Sequence, residues 1–383
     1  MTDTADTADT AVQPTSPAAA PLPASRSTST RGGLIALVVV AVLVALPFVG
    51  VPIPGVLPGE ISSPGSLQVL AIGLVFAGIA VSYDIVFGFT GLLSFGHALF
   101  VALGAYGTNL LMESTGLPYA VAVPLTVVLV AVIAALLGGV ALRVGGVAFA
   151  MVTLAYAEVF SILLLADPLR ISGGEEGLAL VSDGVPDLLR GVVNIRNRYW
   201  LALVFLVVAY VIARMVTASR AGRVWEAIRE NEDRVELLGL KPLPFKLVSF
   251  VIGASLATLG GGVYLLLVRG ANPSLASADF TLALLVMVVL GGAGRLWGAA
   301  IGGMLYGLLT LRLSALGTSG VLDGLPDPIE GVLSEPLFVL GTLFVLLMLF
   351  APGGMAGISD RLRSTLRRAD GAAPTTRAPG TPP

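Results

Sequence analysis

The chain has no cysteine and a single histidine, His97, and only 12% of its 383 residues are charged. Without cysteine there is no disulfide, no thiolate metal site and no cysteine nucleophile. One histidine leaves too little for zinc or histidine-based hydrolytic chemistry. The charge content is about half the roughly 25% of soluble domains, too little to cover a water-facing surface. A formal net charge of −2 argues against a nucleic-acid partner. The phosphate-cradling pattern G-x-x-x-x-G-K-[ST] is also missing, so the chain lacks that means of binding ATP itself. No nucleophile–base or metal constellation appears, so a membrane enzyme finds no support in the residues. What the chain has in excess is apolar: 56% of its residues are hydrophobic, far above the range of disordered chains. This is the composition of a polytopic membrane protein.

Apolar stretches suited to a bilayer, which needs about 20 residues per helix, recur along the chain. They fall at 33–54, 67–87, 92–112, 119–141, 146–166, 200–217, 246–268, 279–293, 297–313 and 336–352. The runs are continuous and lack the alternation of a membrane barrel, so the expected fold is all-α with about ten transmembrane helices. The body 33–352 is flanked by tails, 1–32 and 353–383, rich in Thr, Ala, Pro and Ser and expected to be mostly disordered. The first charges are acidic (Asp3, Asp6, Asp9) and the apolar stretch begins near Gly33, so the start reads as a retained anchor rather than a cleaved signal. With the N-terminus in the cytoplasm and ten alternating spans, sixteen of the 22 Lys and Arg fall inside. Arg170, Arg190, Arg196, Arg198, Arg269 and Arg312 fall outside. That is the bias of the positive-inside rule. Both termini and the charged loop 218–245 are therefore expected in the cytoplasm, and the loop 167–199 outside.

The segment RVWEAIRENEDRVELLGLKPLP (223–244) differs from its surroundings. At 100° per residue, Val224, Ala227, Ile228, Val235 and Leu238 share a stripe, opposite Glu226, Arg229, Glu230, Asp233 and Glu236. Glu230 and Arg234 are spaced for an i,i+4 pair. Gly239 stands where a C′ glycine ends a helix, and Pro242 and Pro244 forbid continuation. Two readings stay open: a solvated connector on the membrane surface, or a helix inserted into a groove of a cytoplasmic partner. The mixed, partly acidic polar face departs from the Lys- and Arg-rich face of membrane-surface helices and favours protein contact.

Asp84, His97 and Glu158 are the ionisable groups nearest the expected bilayer interior, where such groups are costly and tend to be functional. Asp84 and His97 also lie near a joint where they serve equally as caps. Glycines crowd two stretches, Gly88, Gly91, Gly96, Gly104 and Gly107, then Gly291, Gly292, Gly294, Gly298, Gly302 and Gly303. They permit either close helix packing or a locally unwound backbone. Gly88-x-x-Gly91-x-Leu93 is echoed by Gly291-x-x-Gly294-x-Leu296.

Four motifs converge on one family. Glu226, Ala227, Arg229, Glu230 and Glu232, then Gly239, resemble the coupling loop of ABC importer permeases. GFTGLLSFGHALFVALGAYG (88–107), GVAFAMVTLAYAEVF with ISGGEEGL (146–160 and 171–178), and VMVVLGGAGRLWGAAIGG (286–303) resemble signatures of branched-chain amino acid permeases. The order is right and the resemblance covers about 34–352. It points to the longer of the family's two paired permeases. Phe89 replaces the family's first tyrosine, and Gly145-Gly146 its Arg-Gly before the fifth span. The resemblance implies a non-enzymatic permease subunit in the plasma (inner) membrane, with no cofactor of its own because ATP is bound by a partner. The implied partners are two cytoplasmic ATPase subunits, a homologous permease and an external substrate-binding protein meeting the loop 167–199. Val224, Glu226, Ala227, Ile228, Glu230 and Gly239 are then the ATPase-coupling candidates. Asp84, Ser94, Gly96, His97, Thr153 and Glu158 are candidates for the translocation pathway. The cargo is expected to be a branched-chain or similar small amino acid. Alternatives are urea, short amides or another small organic solute, or a proton-coupled carrier using Asp84 or Glu158.

Overall fold

The computed structural model describes residues 30–52, 57–317 and isolated positions between 338 and 357. The expected tails and the tenth apolar stretch, 336–352, lie largely outside the described residues. The chain divides into two units, through Leu43 and from Val44 onward. The first is represented by most of α1 (Thr30–Ala45), which from Gly33 on is apolar on every side, as a lipid-solvated helix must be.

The second unit begins with α2 (Pro64–Asp84), α3 (His97–Thr115), α4 (Tyr119–Ala141), α5 (Gly146–Ala166) and α6 (Ile195–Thr217). Two short helices follow, α7 (Arg220–Glu230) and α8 (Glu232–Leu237), then α9 (Pro242–Val268), α10 (Ala278–Gly291) and α11 (Leu296–Gly317). The helices α2 (with its extension to Phe89), α4, α5, α6, α9 and α11 are long and apolar enough to cross a membrane. Strand is confined, among the described residues, to β1 (Leu178–Ala179) paired antiparallel with β2 (Gly270–Ala271). The fold is all-α and multi-pass, as the continuous apolar runs predict.

Each of the nine apolar stretches between 33 and 313 overlaps a helix, the first (33–54) only as far as Phe48, just after Pro47, and other boundary differences also have local causes. The third starts at His97 rather than near 92, because Gly91 turns to φ +78° and the chain through Gly96 is not helical. The sixth starts at Ile195, so Arg196 and Arg198 lie on the first turn of α6, while Arg312 lies within α11. Arg196 and Arg198, placed above in the outer loop, thus belong to a helix, whereas Arg312 lies in a helix as the stretch 297–313 predicts.

α2 is the central helix, buried along almost its whole length among α6, α9, α10 and α11, while α3 packs on α9 and α4. Small residues set the approach. A Cβ on Gly104 would strike the Thr258 carbonyl, one on Gly261 the Val101 carbonyl, and one on Gly303 the Phe76 carbonyl. Helices in lipid gain their attraction from such close van der Waals packing rather than from hydrophobic burial. The connections sort to two ends. One end gathers the joints around 88–96, 142–145, 218–241 and 292–295, and the other gathers 167–194 and 269–277.

Candidate functional site

Two helix breaks meet at the first end. The last turn of α2 opens into a π-turn over Ile85–Phe89, and Gly91 (φ +78°) then leads the chain away. Between α10 and α11, Gly292 (φ +106°) and Gly294 (φ +80°) do the same. All three positive-φ positions suit glycine alone at low cost. The breaks are bonded to each other: Asp84 Oδ1 accepts the Gly294 N–H at 2.7 Å. Gly88 lies so close that a Cβ there would strike the Asp84 carboxylate and the Gly294 nitrogen.

Arg229 of α7 seats in this crotch. Its Nη1 donates to the Gly88 carbonyl, and its charge attracts the Asp84 carboxylate across the contact. A Cβ on Gly91 would lie 2.9 Å from Arg229 Cγ, and one on Gly294 2.7 Å from Nη1. The glycine echo noted in the sequence thus has a geometric meaning. Its second glycines face one side chain from opposite breaks. Arg229 stands among the polar residues of the motif and outside the coupling candidates; its place in that motif is the only sequence signal for it.

The segment carrying Arg229 departs from the expected single helix. Asn231 is extended (φ −162°, ψ 107°), caps α8 by accepting the Arg234 N–H at 2.8 Å, and separates α7 from α8. The Glu230–Arg234 pair expected of a continuous helix is replaced by an ion pair between Glu232 and Lys246 of α9. The break also redirects the stripe. Trp225, Ile228 and Val235 turn inward, whereas Ala227 is exposed and Leu238 is 76% exposed. Trp225 takes the anchoring place because its Nε1–H finds the Phe245 carbonyl at 2.8 Å. Of the coupling candidates, Glu226, Ala227, Glu230 and Gly239 are exposed, Val224 is half-buried and Ile228 faces the membrane body. Gly239 adopts φ +82° and closes α8, with Leu240 N–H donating to the Val235 carbonyl, the helix ending its position predicts. Next to it Leu237 is 88% exposed, and a cleft of about 560 Å³ lined by Arg143, Glu232, Glu236 and Lys241 adjoins α8.

Five of the six pathway candidates are packed inside. Asp84 is bonded as described. His97 Nε2 lies 3.0 Å from Ser82 Oγ, with its ring against Tyr83. The Ser94 carbonyl accepts from Tyr83 Oη at 3.0 Å, and its hydroxyl accepts from Gly96 N–H at 3.3 Å. Thr153 Oγ1 of α5 accepts from Phe95 N–H at 3.0 Å, and Gly96 fits against the Thr153 carbonyl. These groups tie the unwound stretch 91–96 to α2 and α5. Glu158 is different: it is exposed, on the outward stripe of α5 that runs through Val147, Met151, Ala155 and Ile162.

At the other end the loop 167–194 is an ordered cap. The Asp167 carboxylate accepts the N–H groups of Ile171, Ser172 and Gly173 at 2.7, 2.9 and 3.1 Å. The Ser172 amide, helped by its neighbours, holds that carboxyl below the usual range. Buried Asn109 of α3 donates to the Ala179 carbonyl and accepts from Val181 N–H.

A multi-pass helical membrane protein in which a surface helix is seated on paired helix breaks has the design of a transport permease. The pattern of the branched-chain amino acid transport system permease component matches residues 65–352, and the chain belongs to that family. It is 26% identical to the LivM permease of Salmonella typhimurium over 87% of this chain and 77% of that protein. It is 24% identical to the LivH permease of Escherichia coli over 75% of this chain and 93% of the relative. A shorter match, 30% identity over 125 residues, covers 31% of the chain and 37% of the ribose import permease RbsC of Escherichia coli. These relatives are transport permeases, not enzymes. No solved structure matches the chain.

Proposed function

We propose that the chain is the membrane-spanning subunit of an ATP-binding-cassette importer, moving branched-chain or similar small amino acids by alternating access. The observation that carries this reading is the seat of α7: Arg229 touches the break after α2 and the break before α11 at once. A displacement of α7 therefore acts on both halves of the helix bundle together. The exposed face of α7 (Glu226, Ala227, Glu230) and the leucines around Gly239 are what a cytoplasmic ATPase subunit would grip. In this reading that end, and both termini, face the cytoplasm of the plasma (inner) membrane, and the ordered 167–194 cap meets an external binding protein. ATP stays on the partner.

A homologous permease completes the pathway. A carboxylate facing lipid at mid-span is costly, so the α5 stripe that carries Glu158 is better placed against a second permease across a polar route. The packed candidates Asp84, Ser94, Gly96, His97 and Thr153 then act by shaping the breaks, and they reach cargo only when these open. A proton-coupled carrier has less to work with, because Asp84 is committed to Gly294. Since one relative is named for ribose import, urea, amides or another small solute remain the alternative cargo.

In the assembled transporter, Gly239→Pro and Glu226→Lys should each lower ATP-driven uptake while membrane insertion and assembly persist. Proline cannot adopt φ +82°, and the charge reversal opposes docking. A coupling energy of 1–3 kcal/mol corresponds to a loss of about 5–150-fold. Unchanged uptake in both variants would refute the reading.

A further inference from the structure

At the end of α9 remote from α7, a cavity of about 260 Å³ opens between the 179–191 loop, the start of α6 and the end of α9. The helix α9 has 27 residues, so this cavity lies roughly 40 Å along its axis from the coupling segment. Three arginines line it, Arg190, Arg198 and Arg269, and no acidic residue is among its described lining residues.

Arg198 is 4% exposed. Its Nη2 donates to the Gly191 carbonyl at 2.9 Å and its Nη1 to the Leu266 carbonyl at 3.4 Å, but its Nε is buried with no partner. Arg190 repeats the pattern. Nη2 donates to the Asp183 carbonyl at 2.7 Å, Nη1 lies 3.5 Å from the exposed Asp187 carboxylate, and the buried Nε is unpartnered. A buried cation facing further cations, with a donor left over, is an arrangement that an anion completes. Apart from Ser182, the rest of the wall is apolar, chiefly Leu180, Val185 and Leu266. The volume falls just below the roughly 300 Å³ where drug-sized pockets begin, so the occupant is small.

We propose that this cavity binds a small carboxylate with a short aliphatic body. The carboxylate takes the guanidinium donors and the hydrocarbon lies on the leucine and valine wall. Arg198 is the central ligand because it alone of the three is fully enclosed, and Arg269 closes the pair from the exposed side. A phosphate, whether free or on a lipid headgroup, would satisfy the cations and leave the apolar wall without a role. The claim concerns one chain and does not depend on the importer reading.

The test uses the full chain in phosphatidylcholine nanodiscs, with radiolabelled isovalerate as probe. Isovalerate should bind saturably, weaken with salt and resist competition by isovaleramide, which has the same shape without the charge. Arg198→Gln and Arg269→Asn should each weaken binding about tenfold or more, the effect of losing a charge-assisted hydrogen bond. Asparagine tolerates the left-handed backbone of Arg269 (φ +62°). Arg269→Asn is therefore the deciding variant if loss of the Gly191 contact unfolds Arg198→Gln. The proposal is overturned by absent saturable binding, by equal competition from isovaleramide, by inorganic phosphate outcompeting isovalerate, or by parental affinity in the folded variants.

Discussion

Arg229 and Asp167 illustrate how single side chains hold the two ends of this permease. Arg229 is exposed along much of its length, so its hydrogen bond to Gly88 stabilises the fold by roughly 1 kcal/mol after solvent screening. Its larger expected effect is on transmission. Arg229→Gln keeps a donor but loses the charge that draws Asp84, and should lower uptake several-fold at nearly unchanged melting temperature. Parallel measurements of uptake, ATP hydrolysis and thermal unfolding on the assembled transporter check this. Asp167 acts through protonation. Its carboxyl is held below the ordinary value near 3.9 by loop amides that bind the charged form. The stability it supplies is therefore complete above that value and is lost as pH falls through the lower, folded value. Opening of the 171–174 amides, read from exchange corrected for its slower intrinsic rate in acid, should rise between pH 5 and pH 3 in the parent. It should be high at both pH values in Asp167→Asn.

The coupling segment shows how much of an element is legible. Its existence, its amphipathic character and its stop at Gly239 follow from spacing and turn chemistry. Its division at Asn231 does not, because an asparagine inside a helical pattern is only a weak signal until its side chain is seen capping Arg234. The buried set differs correspondingly: a stripe drawn for one continuous helix includes Leu238, yet the break turns Leu238 outward and leaves Trp225 as the anchor. Replacing a buried tryptophan by alanine typically costs 3–5 kcal/mol, here concentrated on the attachment of α7 to α9. Trp225→Ala should accordingly raise hydrogen exchange throughout 220–237 while the spans α2 and α9 stay protected. Equal loss of protection in all of them would contradict the local anchoring seen here. The glycine-rich elements divide in the same way. From sequence, packing and unwinding were both open; the structure assigns Gly104 and Gly303 to packing and Gly91 and Gly294 to breaks.

For the whole molecule, the decisive surface is the outward stripe of α5. The parent has no cysteine, so a single cysteine at position 158 is a unique chemical handle. In the complete transporter, Glu158→Cys should cross-link to a cysteine on the neighbouring permease, and a lipid-phase label should reach it less once that neighbour is present. Labelling that ignores the neighbour would place α5 against lipid instead. The sequence alone determined the all-α membrane class, nine of the helices, the family and the amphipathic segment 223–240, because apolar run length, glycine and proline chemistry and motif order are local properties. Only the tertiary structure decided which groups meet. Asp84 with Gly294, Arg229 between the two breaks and Arg198 on the end of α9 depend on contacts across 68 to 210 residues, and no local pattern encodes which distant side chains close packing brings together.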